Sequence, residues 1–391
     1  MNGLSDAEIE PIRAQFPALE RYTYFTTNGL GAVSGPVTDA LRERIDDLAR
    51  NAIVSALFNN LPLVDEARAR VARLLSATSA EIAFCRNTSE GVLWAASSLP
   101  LAAGDEVLVA QGEYPANVLP WMAQESRGVV TRLLRQRDRR ITPALVAEAW
   151  SPRTKVLAIS FVQYNSGFRA DLRALADIVH ARGGFVFCDG IQGLGALRLD
   201  VRTAGIDLLA AGTHKWLLGL QGLGIFFCRH EVLAQLRADH IATGSLLVDA
   251  DPGDPDAPYA RTLVDEARRF EEGTRNYLGI AALNASLRLM EEIGIERIET
   301  RIRELTDYVV GEVERRGCGV ESPRGPGEGS GILLFAPPPG APPAAEIVAA
   351  MHRERITINA REGCIHMGVH FYNTRADVDR MLSVLDEACR R

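Results

Sequence analysis

Short apolar runs alternate with amphipathic segments through the first 230 residues of the chain. Runs of strand length lie at 81–84, 106–110, 129–133, 156–161, 185–188 and 208–211. Between them, apolar residues recur at helical spacing, notably at 37–50, 64–75, 92–98 and 117–125. A further helix ends at 145–150. Apolar strands separated by helices are typical of a parallel sheet that is buried on both faces. The pattern therefore predicts an α/β fold with a mostly parallel sheet covered by helices.

The two ends of the chain differ from this pattern. Residues 5–20 predict a polar helix ending near Pro17, and residues 22–25 a short strand. A helical stretch at 278–316, interrupted near Gly294, leads into a segment rich in glycine and proline, strands at 332–335 and 356–358, a further strand and a final helix. Residues 249–260 are acidic and proline-rich, as mobile linkers often are. We predict an N-terminal segment (1–20) packed on the C-terminal part, a large domain (21–272) and a smaller α+β domain (273–391).

Composition excludes several classes of function. The 391 residues carry a net charge of -7, so no basic field favours nucleic acid. No apolar run approaches the roughly 18 residues that a membrane helix needs, and the first residues lack the pattern of a signal peptide. The six cysteines form no C-x-x-C pair, which argues against a disulfide framework and against a thiolate metal site. These features predict a cytoplasmic protein with reduced thiols and no metal, nucleic-acid or membrane partner.

Lysine is unusually scarce in this chain. Of the 43 lysines and arginines, only Lys155 and Lys215 are lysine. Arginine replaces lysine in most ion pairs, but it stays protonated and cannot form a Schiff base with a carbonyl group. Lys155 stands at the polar edge of an apolar run and suits a surface position. Lys215 follows the predicted strand at 208–211, where ligands bind in parallel sheets, and is the stronger candidate for chemistry.

Three further features complete a possible cofactor site. Asp189 follows the strand at 185–188 and can lie at the same sheet edge as Lys215. Residues 87–91 lead from a strand into a helix, which suits either an anion site or an ordinary capping box formed by Asn87 and Glu90. The turn at 28–31, which begins with Asn28, is either structural or approaches a ligand. Pyridoxal phosphate needs an amine, a carboxylate, a phosphate site and an aromatic face, and each has a candidate here.

Several short motifs make the chain similar to the class V aminotransferase family of pyridoxal phosphate enzymes, which includes cysteine desulfurases, kynureninases and isopenicillin N epimerase-like proteins. The motifs follow the family's order and run from residue 87 to residue 374. They are Asn87-Thr88-Ser89-Glu90-Gly91, Glu113-Tyr114-Pro115-Ala116-Asn117, Val162-Gln163-Tyr164-Asn165-Ser166-Gly167, Asp189-Gly190-Ile191-Gln192-Gly193, Thr213-His214-Lys215-Trp216, Glu272-Gly273-Thr274-Arg275-Asn276 and His370-Phe371-Tyr372-Asn373-Thr374. The resemblance implies the fold type I architecture of these enzymes.

The resemblance also implies a role for each matched residue. Lys215 would form the Schiff base with the cofactor and then move a proton, while Asp189 would pair with the pyridine nitrogen and Tyr114 would stack on the ring. The remaining implied cofactor contacts are Gln192 at the ring hydroxyl, Thr88, Ser89 and His214 at the phosphate, Thr274 at the phosphate of a partner subunit, and Gln163. The contact from Thr274 implies a homodimer with shared active sites. Alternatively, Gln192 is a loop amide, His214 a packed histidine and Thr274 a helix cap.

Departures from the family pattern concern the substrate. Tyr114 stands where desulfurases have a stacked histidine, and Gly212 where many members have serine, so that Thr213 is a possible substitute for that serine. His366 stands where an arginine commonly holds the substrate carboxylate, and a neutral imidazole cannot make that bidentate pair. Arg361 matches a second family arginine and is a candidate to replace it. We therefore expect the substrate near Arg361, His366 and Asn28.

The resemblance leaves the reaction open. We expect an enzyme that acts on an amino acid or a related amine through a Schiff base and removal of the α-proton. Transamination is the preferred outcome, with carbon-sulfur or other β-elimination and epimerisation as alternatives. Cys364 invites a desulfurase interpretation, but it follows Arg361 by three residues and lacks the long loop those enzymes use, so a structural thiol is expected. A non-catalytic cofactor-binding protein is disfavoured because Lys215 is intact.

Overall fold

A computed structural model of the chain describes residues 3–237, 239–242, 245 and 262–390. The linker predicted at 249–260 lies outside the described residues. The strands are β1 (Thr23–Tyr24), β2 (Ile82–Cys85), β3 (Glu106–Ala110), β4 (Val130–Leu134), β5 (Thr154–Ser160), β6 (Phe185–Asp189), β7 (Leu208–Gly212), β8 (Gly224–Cys228), β9 (Gly319–Val320), β10 (Ile332–Ala336), β11 (Ile356–Thr357), β12 (Asn359–Arg361) and β13 (Cys364–Gly368).

Helices connect these strands and cover the sheets. They are α1 (Asp6–Arg13), α2 (Ala18–Arg21), α3 (Gly35–Asn51), α4 (Ile53–Phe58), α5 (Asn60–Leu75), α6 (Thr88–Ser98), α7 (Leu119–Met122), α8 (Pro143–Ala149), α9 (Leu172–His180), α10 (His230–Leu233), α11 (Tyr277–Ile293), α12 (Ile295–Arg315), α13 (Ala344–Arg353) and α14 (Arg375–Cys389). Within the ranges that the structure describes, no helix is both long enough and apolar enough to cross a membrane.

The central sheet has the strand order β2-β8-β7-β6-β5-β3-β4. All neighbours are parallel except β8, which runs antiparallel to both β2 and β7. Alternate side chains of the inner strands enter two separate apolar cores, one on each face of the sheet. In β6, for example, Val186 and Cys188 pack on one face and Phe187 on the other. The predicted α/β fold with a mostly parallel, doubly covered sheet is confirmed.

The C-terminal part contains a second sheet with its own core. Its antiparallel strands have the order β12-β13-β10-β9, and α12, α13 and α14 contribute apolar side chains to the core beside it. The strand β1 pairs in parallel with β11, so the beginning of the chain is joined to this part. The helix α1 is also attached there, because Arg13 forms an ion pair with Asp377 of α14. The exact domain boundary at 272/273 stays a prediction.

Several predicted elements differ in detail. The helix expected at 117–125 is a short α7 flanked by 3-10 turns at Pro115–Asn117 and Ala123–Arg127. Pro120 lies in the first turn of α7, where proline is tolerated, and its ring would clash with a preceding helical turn. The polar N-terminal helix divides into α1 and α2 at Pro17. The strand β8 was not expected from the sequence. It lies between β7 and the edge strand β2 and pairs with both.

Candidate active site

Two candidate residues meet at one edge of the central sheet. Asp189 is the last residue of β6, and Lys215 lies three residues beyond the end of β7. The two strands are parallel neighbours, with Asp189 in register with Ala210. The carboxyl end of β2 reaches the same edge, because β2 and β7 both run antiparallel to β8. The fold therefore brings Lys215, Asp189 and the N-terminus of α6 together, as the sequence predicts.

Burial shifts the pKa values of both Asp189 and Lys215. Asp189 is 2% exposed, and the N–H of Ile191 donates to its Oδ1 at 3.0 Å. Burial raises the pKa of Asp189 to about 7, with the Ile191 N–H opposing the rise and the charge of Glu113 adding to it. Burial also lowers the pKa of Lys215, an effect that Asp189 opposes and Arg361 reinforces. A lysine with a lowered pKa is more readily deprotonated and can then act as a nucleophile or a base.

The N-terminus of α6 forms a candidate phosphate site. The side chain of Asn87 caps the helix by accepting from the N–H of Glu90 at 3.0 Å, so half of the alternative capping box is present. The Glu90 carboxylate instead accepts from Arg86. The N–H groups of Thr88 and Ser89 lie in the first turn, where a helix offers no internal acceptor. They are available to an anion, which the helix dipole also favours.

Close packing holds this helix end against β7. A Cβ atom added to Gly91 would lie 2.6 Å from the Cβ of Ala210, so glycine allows α6 to approach the strand. The N–H of Gly212 donates to Thr88 Oγ1 at 2.8 Å, which leaves the hydroxyl hydrogen of Thr88 available. The ring of His214 lies 3.1 Å from the position of a Cβ on Gly212. This contact explains why a serine at 212 would be crowded.

Thr213 has a different environment from its neighbours. It is fully buried, and its hydroxyl donates to the carbonyl of Leu220 at 2.8 Å. In this arrangement its only hydroxyl hydrogen is not available to a phosphate oxygen. His214 is half-buried, and burial together with the charge of Lys215 lowers the pKa of its ring. The side chain that packs against Gly212 is therefore that of His214 and not that of Thr213.

A chain of hydrogen bonds fixes the loop that carries Lys215. The indole N–H of Trp216 donates to Gln192 Oε1 at 2.8 Å, and Gln192 Nε2 donates to the carbonyl of Asn28 at 3.1 Å. His370 Nε2 lies 3.0 Å from the carbonyl of Trp216 and donates to it. Gln192 keeps one N–H for a ligand, and it also bridges three segments of the chain. Its ligand contact and its role as a loop amide are therefore compatible.

Tyr114 lies on the open side of Lys215. Its ring centroid is 5.8 Å from Lys215 Nζ, and it packs edge-on against Tyr164 at 5.3 Å. The preceding residue, Glu113, is buried and accepts hydrogen bonds from the N–H of Ser160 at 2.8 Å and from Gln163 Nε2 at 2.6 Å. Burial raises the pKa of Glu113. Gln163, a predicted cofactor contact, thus uses its amide to hold the loop of Tyr114.

The predicted substrate residues also come together. Asn28 Nδ2 lies 3.2 Å from His366 Nδ1, and both side chains are buried. Arg361 stacks over Tyr164, with its guanidinium carbon 4.8 Å from the ring centroid. Burial and the charge of Arg361 lower the pKa of His366 to about 4, so the imidazole is neutral near pH 7. One cation and two neutral polar groups therefore line this side of the site.

Two candidates do not join this cluster. Thr274 is exposed in the segment before α11, where Asn276 is the helix cap, and its contact with a partner subunit stays a prediction. Cys364 is buried in β13, in register with Arg361 across a tight hairpin. Burial raises the pKa of this thiol, which disfavours the reactive thiolate. Its geometry is that of a structural thiol.

Sequence reasoning assigned no role to four residues that shape the site: Glu113, Tyr164, Asn165 and Trp216. All four stand in the quoted motifs. Asn165 Oδ1 is buried without a hydrogen-bond partner in the described part of the chain, as expected for an amide that faces a ligand. Glu113 could have been found as an acidic residue directly after an apolar strand. The contacts of Trp216 depend on distant residues and have no local signal.

The donor set fits pyridoxal phosphate: an amine with a lowered pKa, a buried carboxylate, free N–H groups at a helix N-terminus and an aromatic ring. A sheet of this topology with these groups at its carboxyl edge defines a fold type I pyridoxal phosphate enzyme. More particularly, the chain belongs to the aminotransferase class-V family, whose model matches residues 34–381. Its cofactor is pyridoxal 5'-phosphate.

Curated relatives carry different activities in their names. The chain is 27% identical over 397 residues to a probable cysteine desulfurase of Methanothermobacter thermautotrophicus, covering 97% of both proteins. It is 26% identical over 384 residues to an uncharacterized aminotransferase of Bacillus subtilis, covering 97% of this chain and 96% of the relative. It is 29% identical over 378 residues to an isopenicillin N epimerase of Amycolatopsis lactamdurans, covering 92% and 94% respectively. The names therefore agree on the family and not on the reaction.

Solved structures show the same fold. A cysteine desulfurase from Thermococcus onnurineus superposes with a TM-score of 0.86 at 22% identity and full coverage of both chains. A cystine C-S lyase in complex with its product, cysteine persulfide, gives a TM-score of 0.86 at 21% identity, covering 95% of this chain and 99% of the other. At these identities the similarity establishes the architecture alone.

Proposed function

We propose that this protein is a pyridoxal phosphate-dependent aminotransferase that acts on an amino acid or a related amine. The proposal rests on Lys215, a partly desolvated amine 5.8 Å from the centroid of the Tyr114 ring and at the same sheet edge as Asp189, and on the burial of Cys364, which disfavours desulfuration. Transamination needs one base that can remove a proton from the substrate and return it at a neighbouring carbon. Lys215 is the only lysine near the sheet edge, since Lys155 is at the other end of β5.

Each residue of the site has a definite task in this proposal. Lys215 Nζ would hold the cofactor and, once free, would move the proton from the α-carbon of the substrate. Asp189 would keep the ring nitrogen protonated, and Thr88, Ser89 and His214 would hold the phosphate. Tyr114 covers the site and excludes water. Pyridoxal phosphate, when bound, supplies an electron-withdrawing ring that stabilises negative charge at the carbon next to the substrate amine.

Arg361 is the proposed anchor for an anionic group of the substrate. The charge of its guanidinium contributes to lowering the pKa of Lys215. Its neighbour Glu362 is occupied by Arg139, with the ion pair at 2.8 Å, and does not neutralise it. Among the described residues Arg361 has no carboxylate partner, and its Nε is buried without an acceptor. A guanidinium in this state is suited to a carboxylate of the substrate.

A β-elimination lyase is the second candidate. The desulfurase and C-S lyase relatives favour it, because the same α-proton removal precedes loss of a β-substituent. The buried Cys364 disfavours the desulfurase reaction, which needs an accessible thiolate. Epimerisation, favoured by the isopenicillin N epimerase relative, differs by returning the proton to the opposite face of the carbon.

One experiment distinguishes these reactions. The purified holoenzyme is mixed with a panel of amino acids in the absence of an oxo acid. An aminotransferase releases one equivalent of 2-oxo acid per site and its visible cofactor band disappears. Continuous release of pyruvate or sulfide with the band retained would identify a lyase instead, and inversion without either product an epimerase. A protein that binds no cofactor would refute the whole assignment.

We also propose that the enzyme works as a cytoplasmic homodimer in which Thr274 contacts the phosphate bound to the partner subunit. The exposure of Thr274 supports the shared site, and the free thiols of the described cysteines fit a reducing compartment. Thr274→Val should weaken cofactor binding if the hydroxyl is a phosphate ligand. Light scattering tests the dimer independently, and a monomer with full activity would contradict it.

A further inference from the structure

Asn28 and His366 form a buried pair whose outer polar atoms are free. The side chains are only 6% and 3% exposed, and they contact each other through Asn28 Nδ2 and His366 Nδ1 at 3.2 Å. In the described part of the chain, Asn28 Oδ1 and His366 Nε2 are buried without any hydrogen-bond partner. Leaving two such atoms unpaired is costly, unless a ligand supplies the missing partners.

The hydrogen-bond inventory of the pair determines what such a ligand must offer. An amide nitrogen can only donate, so His366 Nδ1 accepts and Nε2 carries the ring hydrogen. The two atoms of the pair that are left without any partner are thus one donor, Nε2–H, and one acceptor, Asn28 Oδ1. The opposite orientation of the amide exchanges these roles and again leaves one donor and one acceptor. A carboxamide or a hydroxyl group can bond to both the free donor and the free acceptor. A carboxylate has only acceptor atoms, so one of them would be repelled by the free acceptor of the pair.

The surroundings keep this pair uncharged. Burial and the nearby Arg361 hold the pKa of His366 at about 4, so the ring carries no charge at neutral pH. The carbonyl of Tyr164 opposes this shift but does not reach hydrogen-bond geometry with Nε2. Gly368 packs closely on Asn28, because a Cβ on Gly368 would lie 2.8 Å from the Asn28 N and Oδ1. Arg361 is consequently the cation of the pocket, and the pair is its neutral partner.

We propose that the substrate carries one anionic group, bound by Arg361, and one uncharged group that both donates and accepts hydrogen bonds, bound by Asn28 and His366. An amino acid with a carboxamide side chain is the simplest example. This inference rests on the proposed function, because it describes the amino substrate of the same site. A site with two cations would instead select a substrate with two carboxylates.

Matched substrates test the inference by binding, without reference to turnover. The visible spectrum of the holoenzyme is titrated with L-asparagine and L-aspartate, and with L-glutamine and L-glutamate, which differ only in amide against carboxylate. We expect the carboxamide of at least one pair to bind about tenfold more tightly than its acid. Equal or tighter binding of both acids would overturn the inference.

Substitutions test whether Asn28 and His366 cause the preference for carboxamides over acids. His366→Arg should reverse the preference towards the acids, whereas His230→Arg, a matched change at the opposite edge of the sheet, should leave it unchanged. Asn28→Ala removes the acceptor without adding charge or bulk, and should reduce the preference to within about threefold. Arg361→Leu should weaken both members of each pair alike. If His366→Arg and Asn28→Ala both take up cofactor and keep the wild-type preference, the inference is wrong.

The two proposals fail in different ways. A protein that takes up no cofactor, or whose spectrum responds to no amino acid, would refute the proposed function and this inference together. A holoenzyme that binds amino acids without discriminating within the pairs would refute this inference alone.

Discussion

The two lysines of the chain differ in their surroundings. Lys215 lies among Tyr114, Asp189 and Arg361, whereas Lys155 is half-buried at the start of β5 with its Nζ 3.4 Å from the carbonyl of Pro152. Lys215→Ala should lower activity at least about 10³-fold, because the base and the anchor are lost together. After borohydride reduction, peptide mass spectrometry should find cofactor on Lys215 alone. Lys155→Ala is the matched control, and loss of labelling in that variant would contradict the assignment.

His370 should make the stability of the folded protein depend on pH. It is fully buried, its Nδ1 accepts from the N–H of Phe371, and burial lowers its pKa to about 4 from an ordinary value of 6.5. The unfolded chain binds a proton at this residue below about pH 6.5, whereas the folded protein does so only near pH 4. The free energy of unfolding should therefore fall by about 1 to 3 kcal/mol as the pH drops through this range.

Comparison of His370→Gln with the wild type isolates this contribution. The variant has no titrating group at this position, so its loss of stability between pH 7 and pH 5 should be smaller. The other buried groups, including Asp189, are common to both proteins and cancel in the difference. Urea unfolding at several pH values measures the two slopes. Parallel slopes would show that His370 titrates normally in the folded protein.

At the scale of elements, the contact between α6 and β7 positions the phosphate site. Gly91→Ala would bring two methyl groups to 2.6 Å, so we expect a loss of about 1 to 3 kcal/mol in unfolding free energy and weaker cofactor binding. Gly311→Ala in α12 is the matched control, because its nearest neighbour would be Arg315 Nη1 at 3.8 Å. Helix propensity alone should stabilise that variant by about 0.5 to 1 kcal/mol. Similar effects at both positions would exclude the close packing as the cause.

Element types were predictable from the sequence where local patterns were strong. The strands β3, β5 and β6 each contain a continuous apolar run and were found with small errors at their ends. The strand β8 is equally apolar, but the short segment between β7 and β8 contains no helix to separate the two. Its antiparallel direction follows from this short connection. The irregular region around α7 depends on Pro120 and on packing of Trp121, which periodicity does not register.

The contacts between residues on the substrate side of the site were less predictable from the sequence. His366 and Arg361 were named as candidates through the resemblance and Asn28 through the turn that it begins. The contact between Asn28 and His366 joins β13 to a loop near the start of the chain. Thr213 and Gln163 lie in matched motifs, yet their polar groups are used by Leu220 and Glu113. A motif therefore identifies which residues are near the cofactor, while hydrogen bonds to distant residues decide which atoms remain free.

At the scale of the whole molecule, α1 joins the first residues of the chain to the last helix. Arg13 donates two hydrogen bonds to Asp377, at 2.7 and 3.0 Å, and a third to the carbonyl of Tyr372. Arg13→Leu should reduce the unfolding free energy by about 3 kcal/mol, because it leaves a buried carboxylate without its cation. Arg42→Leu removes an exposed ion pair with Asp39 and should have no measurable effect. Chemical denaturation of both variants tests the difference.

The pairing of β1 with β11 has a consequence for how the protein is made. Phe25 donates its N–H to the Thr357 hydroxyl, 332 residues further along the chain. During synthesis the first strand therefore emerges long before its partner exists, and closing so large a loop carries an entropic cost that local contacts do not share. The central sheet can form earlier from neighbouring strands. Asn28 lies four residues after β1, so its pairing with His366 of β13 can complete the proposed substrate pocket only after that strand has left the ribosome.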